Sequence, residues 1–291
     1  MYPAEFEYEK PTTVDDAVDL LASNTDRDAH LLAGGHSLLP TMKSGLASPA
    51  LLIDIGGIEA LAGITDNGET STIGAMTPYA EIDGSDHLET ACPIIAEAAR
   101  EVGDRQVRNA GTIGGNIAHA DPASDMPASV LAADGTIHAR GPDGDRTIPA
   151  DEFFIGMYGT ALDHDEILTA IEVPNVSNGT ADAYRKKASP SSGYAQVGVA
   201  ARVSATDGTV DACRVAVNGA VDHAFRLTDV EETIRDEPFT TETIENAKAA
   251  VSSDLDGETV MDDNQVSAEF REQLVRVYCE RALLDVKARL S

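Results

Sequence analysis

Two pairs of adjacent glycines, Gly34-Gly35 and Gly114-Gly115, constrain this chain more than any other feature of its sequence. The first pair ends HLLAGGHS, a run that reads as a short buried strand, and the second sits in RNAGTIGGN. Paired glycines at a strand end let backbone N–H groups converge on an anion with no Cβ in the way. Ser37 and Thr112 would add hydroxyl donors, and a following helix N-terminus a favourable dipole. Two readings are therefore open for Ala33-Gly34-Gly35-His36-Ser37 and Thr112-Ile113-Gly114-Gly115-Asn116: tight structural turns, or one cradle for each phosphate of a pyrophosphate. Neither is a G-x-x-x-x-G-K-[ST] loop, since Lys43-Ser44 follows Met42, and no G-x-G-x-x-G occurs. A P-loop and a Rossmann nicotinamide site are thus unsupported.

The surrounding pattern is α+β. Thr13 precedes a segment whose Val14, Ala17, Val18 and Leu21 have helical spacing, with acids in the first turn that suit the dipole. LLIDIGG is a second buried strand, so the first 57 residues read as an α/β unit. From Ile58 short strands with turn signals alternate with helical CPIIAEAAREV and MPASVLAAD, and Pro174 to Gly179 reads as a linker. Beyond it AYRKKASPSSGYAQVGVAARVSA and TVDACRVAVNGAV read as antiparallel strands. The rest, ending in FREQLVRVYCERALLDVKARL, reads mostly as helix.

Charge and cysteine content exclude several functions. Fifty acidic residues against 21 basic ones give a net charge of −29, which rules out non-specific binding to nucleic acid or to an anionic membrane surface. Asp outnumbers Glu by 29 to 21, and only six residues are Lys. Such a surface suits concentrated salt, which screens self-repulsion, so a halophilic, haloarchaeal cytoplasm is expected; the other reading is an ordinary acidic protein. No apolar run approaches the roughly 18 residues of a membrane span, and the acidic start lacks the regions of a signal peptide. Cys92, Cys213 and Cys279 lie too far apart for a zinc ribbon or for an iron–sulfur cluster held by this chain alone.

Asp125, before Met126-Pro127, reads either as a helix N-cap or as a carboxylate at a glycine-rich mouth, placed to hold a ligand hydroxyl. His119, Asp121 and Asp125 lack a further ligand at metal spacing, so no metal is expected. No catalytic acid, base or nucleophile arrangement is readable.

LLAGGHSLLPTMKSGLASPALLIDIGGI together with RNAGTIGGNIAHADPASDMPA resembles the FAD-binding medium subunit of the molybdenum hydroxylases, the family of carbon monoxide dehydrogenase, xanthine dehydrogenase and aldehyde oxidoreductases. The resemblance implies an FAD-binding domain over residues 1–175, with subdomains at about 1–57 and 58–175. The first would be a small α/β sheet, the second a larger mixed or antiparallel sheet with helices. A smaller α+β C-terminal domain would follow over 180–291. It further implies that the FAD pyrophosphate lies against Ala33 to Ser37 and Thr112 to Asn116, with Asp125 at the ribitol or pyrophosphate. KKASPSSGYAQVGVAA is similar to the loop that reaches the isoalloxazine, which would place Tyr194 over the ring and Lys187 near it; Tyr194 also reads as an interior aromatic on a strand. The implied partners are a large molybdopterin subunit and a small [2Fe–2S] subunit, in a dimer of heterotrimers. Electrons would pass from those clusters to FAD here and on to an external acceptor. Two other functions compete, a stand-alone FAD-dependent oxidoreductase and a non-redox nucleotide-binding module of the same fold. The first lacks a further substrate domain in 291 residues, and the intact glycine pairs argue against the second.

Overall fold

In the computed structural model, which describes residues 2–290, three larger sheets and a two-stranded ribbon follow one another along the chain. The first is built from β1 (Glu7–Glu9), β2 (Ala29–Leu32) and β3 (Leu51–Asp54), in the order β1-β3-β2 with both outer strands parallel to β3. Parallel neighbours need crossovers, and these are α1 (Val14–Ala22) and α2 (Leu38–Ser44). Thr13 caps α1 as its sequence predicts, accepting the Asp16 N–H at 3.1 Å, and the helix buries Ala17, Val18 and Leu21.

The middle sheet has β4 (Ile64–Asp66), β5 (Thr70–Gly74), β6 (Thr136–Gly141), β7 (Gly144–Pro149) and β10 (Ile167–Pro174), ordered β4-β5-β10-β6-β7 and antiparallel throughout. A two-stranded ribbon, β8 (Phe154–Gly156) with β9 (Gly159–Thr160), precedes β10. Between β5 and β6 run α3 (Tyr79–Asp83), α4 (Asp86–Ala91), α5 (Pro93–Glu101), α6 (Arg105–Arg108), α7 (Ile113–His119) and α8 (Asp125–Ala132). Every residue of α8 is buried, because it packs against α5 and α7 and against the sheet that follows.

That third sheet is β11 (Thr180–Ala188), β12 (Ala195–Thr206), β13 (Thr209–Asn218) and β14 (Phe225–Arg226), antiparallel in chain order. Strand alternation sends Tyr184, Ala200 and Ala216 into the core around α8. Val199, Val215 and Val217 face the other way, into a second core with α9 (Thr228–Ile234), α10 (Thr241–Asp254) and α11 (Ala268–Leu290). A buried ion pair pins this sheet to what precedes it. The Arg202 guanidinium meets the Asp182 carboxylate at 2.7 Å and donates to the carbonyls of Ala133 and Pro174, while Asp182 also accepts the Ile94 N–H at the start of α5. The segment from Pro174 read as a linker is thus tied down at its first residue. No helix among the described residues is long and apolar enough to cross a membrane.

Candidate functional site

The two glycine pairs meet in space but are not two copies of one device. A Cβ on Gly34 would stand 2.2 Å from the Ala110 carbonyl oxygen and 2.8 Å from Gly111 Cα, so the first loop packs backbone-to-backbone on the approach to the second. Gly35 holds φ +71°, in the left-handed region where a side chain is strained. Among the described residues, the N–H groups of Gly34, Gly35, His36, Ser37 and Leu38 reach no acceptor, five in succession on the wall of a cavity.

The second segment differs from its sequence reading. Thr112 to Asn116 is not a loop but the cap and first turn of α7, with the Thr112 hydroxyl accepting the Gly115 N–H at 3.2 Å. Ile113 N–H goes to the Thr77 carbonyl and Gly114 N–H to Ala75 at 2.8 Å, so these donors are already used. Gly114 is required because a Cβ there would lie 2.4 Å from that of Ala75. Gly115 faces Ala33, whose Cβ would be 3.2 Å away. The Ile113 side chain belongs to the core.

Both segments line one cavity of about 510 Å³, whose lining also takes in Ser192, Gly193 and Tyr194. Of the residues expected from sequence, Ala33, Gly34, Gly35, His36, Ser37, Thr112, Gly114, Gly115, Asn116, Asp125 and Tyr194 line it; Ile113 and Lys187 do not. Asn116 donates to Ser124 Oγ at 2.9 Å, while its Oδ1 is buried and has no partner among the described residues. Tyr194 is 42% exposed and precedes β12, which removes the interior-aromatic reading. Burial first, then the Asp121 carboxylate, raises its phenol above the ordinary value, with the Ser37 hydroxyl opposing.

Asp125 is not an N-cap. Ser124 holds that position, and Asp125 is the first helical residue, its carboxylate turned inward. Oδ1 accepts from Tyr184 Oη at 2.5 Å and Oδ2 from Lys186 Nζ at 3.0 Å. Burial pushes the carboxyl up to about 6 against the opposing pull of Lys186 and Tyr184. Sequence reasoning missed Lys186. Alternation along β11 puts Tyr184 and Lys186 on the face toward Asp125 and Lys187 on the other, a distinction that strand period alone could have drawn.

Residues 4–176 match the family model described as the FAD binding domain in molybdopterin dehydrogenase, and 182–286 match the CO dehydrogenase flavoprotein C-terminal domain. The chain belongs to the FAD-binding medium subunits of the molybdenum hydroxylases. It is 41% identical over 250 residues to the carbon monoxide dehydrogenase medium chain of Hydrogenophaga pseudoflava, covering 86% of this chain and 87% of that one. The nicotine 6-hydroxylase medium subunit of Paenarthrobacter nicotinovorans is 36% identical, with 97% of each chain covered. A solved structure of the Hydrogenophaga pseudoflava enzyme, in a form lacking the Mo-pyranopterin moiety, superposes with a TM-score of 0.95 at 39% identity over the whole of both chains.

The residues present fit FAD. The unshared N–H run from Gly34 to Leu38 suits a phosphate, the orphaned Asn116 Oδ1 suits a sugar or ribityl hydroxyl, and the cavity between them is continuous with the face of Tyr194.

Proposed function

We propose that this chain is the electron-transfer subunit of a molybdopterin-dependent hydroxylase or dehydrogenase, taking electrons from [2Fe–2S] clusters on a small partner and passing them to an external acceptor. Bound FAD would supply the redox chemistry, since a flavin can exchange electrons singly or in pairs. The chain's own residues bind and orient. In this reading Ala33 to Ser37 hold the pyrophosphate through backbone N–H groups, with the Thr112 hydroxyl beside them. Gly114 and Gly115 act by shape, letting α7 approach Ala75 and Ala33. Asn116 and Asp125 face the ribityl region, and Tyr194 covers the ring. Lys186, and not Lys187, is the lysine that reaches Asp125.

The observation that carries this reading is the cavity wall of five consecutive unshared N–H groups within a family-matched FAD domain. Three buried, dispersed cysteines are consistent with clusters held by another chain. Medium chains or subunits named for carbon monoxide, nicotine and glyceraldehyde enzymes, and a beta subunit of a caffeine dehydrogenase, all align with this chain, which argues that the oxidised substrate is chosen elsewhere in the complex. The full assembly in this proposal is a dimer of heterotrimers with a large molybdopterin subunit. The unit boundaries are 1–175 and 180–291, and the setting is a haloarchaeal, high-salt cytoplasm, supported by a net charge of −29 with six lysines.

The test is isolation of the tagged chain in concentrated salt from its own cells. The expected result is co-purification of two partners, with flavin and [2Fe–2S] absorption in the complex and flavin absorption alone assigned to this chain. A chain recovered alone, without flavin and unable to take up added FAD, would overturn the proposal.

A further inference from the structure

Lys186 is the most enclosed cation of the cavity region, its side chain 2% exposed. An ammonium has three donors, and here each is spent on a different element. One goes to the Asp125 carboxylate of α8 at 3.0 Å and one to the Glu101 carbonyl at the end of α5 at 2.7 Å. The third goes to the Gly193 carbonyl at 2.9 Å. Gly193 belongs to the short loop after β11, which the Ser189 and Gly193 N–H groups close onto Tyr194 and Ser189. With φ +75°, Gly193 turns the chain so that Tyr194 comes to the cavity mouth. The outer side of the loop is held by Ser189 and Ser191 on Gln265. Its Gly193 carbonyl is held by Lys186.

We infer that Lys186 is a positioning residue, a latch that holds the Ser189–Tyr194 loop over the cavity through the Gly193 carbonyl, with the Asp125 carboxylate as its counter-charge. The inference rests on the flavin reading for its purpose, since the latched loop is the one that carries Tyr194. The latch has a built-in dependence on charge. While Asp125 is ionised, the buried ammonium is neutralised in place. When Asp125 takes a proton, the ammonium loses its nearest counter-charge and is left facing neutral dipoles, and releasing Gly193 is the nearest way for it to regain water. The titratable and charged groups that face Asp125 are Lys186 and Tyr184 from β11, Glu101 from α5, Tyr79 from α3 and Tyr194 from the loop itself. Burial raises all three phenols, so they stay neutral where the Asp125 carboxyl, pushed up to about 6, changes charge. The loop is therefore held above that pH and released below it.

Hydrogen–deuterium exchange on the full chain in high salt tests the latch without requiring flavin. In the wild type, exchange of the peptide spanning residues 189–194, corrected for the intrinsic pH dependence, should rise roughly tenfold from pH 7.5 to pH 5, while β12 and β13 stay protected. Lys186→Met keeps the length of the side chain but no donor; the loop should exchange fast at both pH values, with no step. Asp125→Asn should also abolish the step. A wild-type loop that exchanges equally at both pH values, or a step that persists in Lys186→Met, would overturn the latch, and the wild-type series decides even if a variant fails to fold. Acrylamide quenching of added FAD gives the second arm, with quenching expected to increase in Lys186→Met. A wild type that shows the step but holds no FAD leaves the latch standing and removes the flavin reading.

Discussion

Gly34→Ala separates close approach from anion binding, because it changes neither the number of N–H groups in the loop nor their charge. The added methyl would sit 2.2 Å from the Ala110 carbonyl oxygen and 2.9 Å from its carbon, where ordinary contact begins near 3.4 Å. The two backbones must part by about an ångström, and neither neighbour is a side chain that can rotate away. Overpacking of this kind costs about 1–3 kcal/mol, and a backbone–backbone clash belongs at the upper end. At roughly 2–4 °C per kcal/mol for a chain of this size, the melting temperature should fall on the order of 5–10 °C. Flavin affinity should fall with it, since the N–H groups of Gly34 to Leu38 are aimed by the same contact. Scanning calorimetry in concentrated salt gives the first quantity and FAD titration the second. A variant with unchanged melting temperature and affinity would refute the argument that Gly34 exists to let the two segments touch.

Gly115→Val should reduce FAD binding far more than it reduces helicity, because its branched side chain would meet the Thr112 hydroxyl and Ala33 at the cavity wall; wild-type affinity by titration would exclude that. Tyr194→Ala should retain FAD with a roughly two- to tenfold weaker dissociation constant and raise flavin fluorescence, as a stacked aromatic contributes about 0.5–1.5 kcal/mol. Unchanged fluorescence would place the ring-facing group elsewhere. Arg202→Met leaves the Asp182 carboxylate buried without its counter-charge, and about 3–5 kcal/mol of stability should be lost in denaturant titration. Dilution from about 1 M to about 0.01 M salt lengthens the screening distance from about 3 Å to about 30 Å, so the melting temperature should drop steeply; a flat response would remove the high-salt setting.

Much of the fold was legible because period and punctuation agree. Thr13 and the acids behind it marked α1, LLIDI marked β3, and TIHARG and EILTAIEVP marked the pair β6 and β10. What escaped has local physical reasons. β1 is Glu7-Tyr8-Glu9, exposed at every position, so it carries no apolar alternation; it is a strand only because β3 offers an edge. Gly114 and Gly115 are poor helix formers, and their sequence reads as a loop. They are helical because Thr112 caps the turn and Ala75 leaves no room for a Cβ, and both facts are tertiary.

The site shows the same division at finer scale. Sequence supplied which residues converge, since the glycine pairs, Asp125 and Tyr194 do line one cavity, but not the work each donor does there. TIGGN and AGGHS look equivalent as strings. Yet the N–H groups of Ile113, Gly114 and Gly115 are spent within the protein, and those of Gly34 to Leu38 are not. An anion held in this cavity is therefore held mainly by one segment, and the other gives that segment its shape. The adjacent lysines make the point by one residue. Alternation along β11 puts them on opposite faces, and the one turned toward Asp125 carries a full complement of acceptors. Side-chain identity could nominate a binding surface here; the accounting of backbone donors decides which part of it binds.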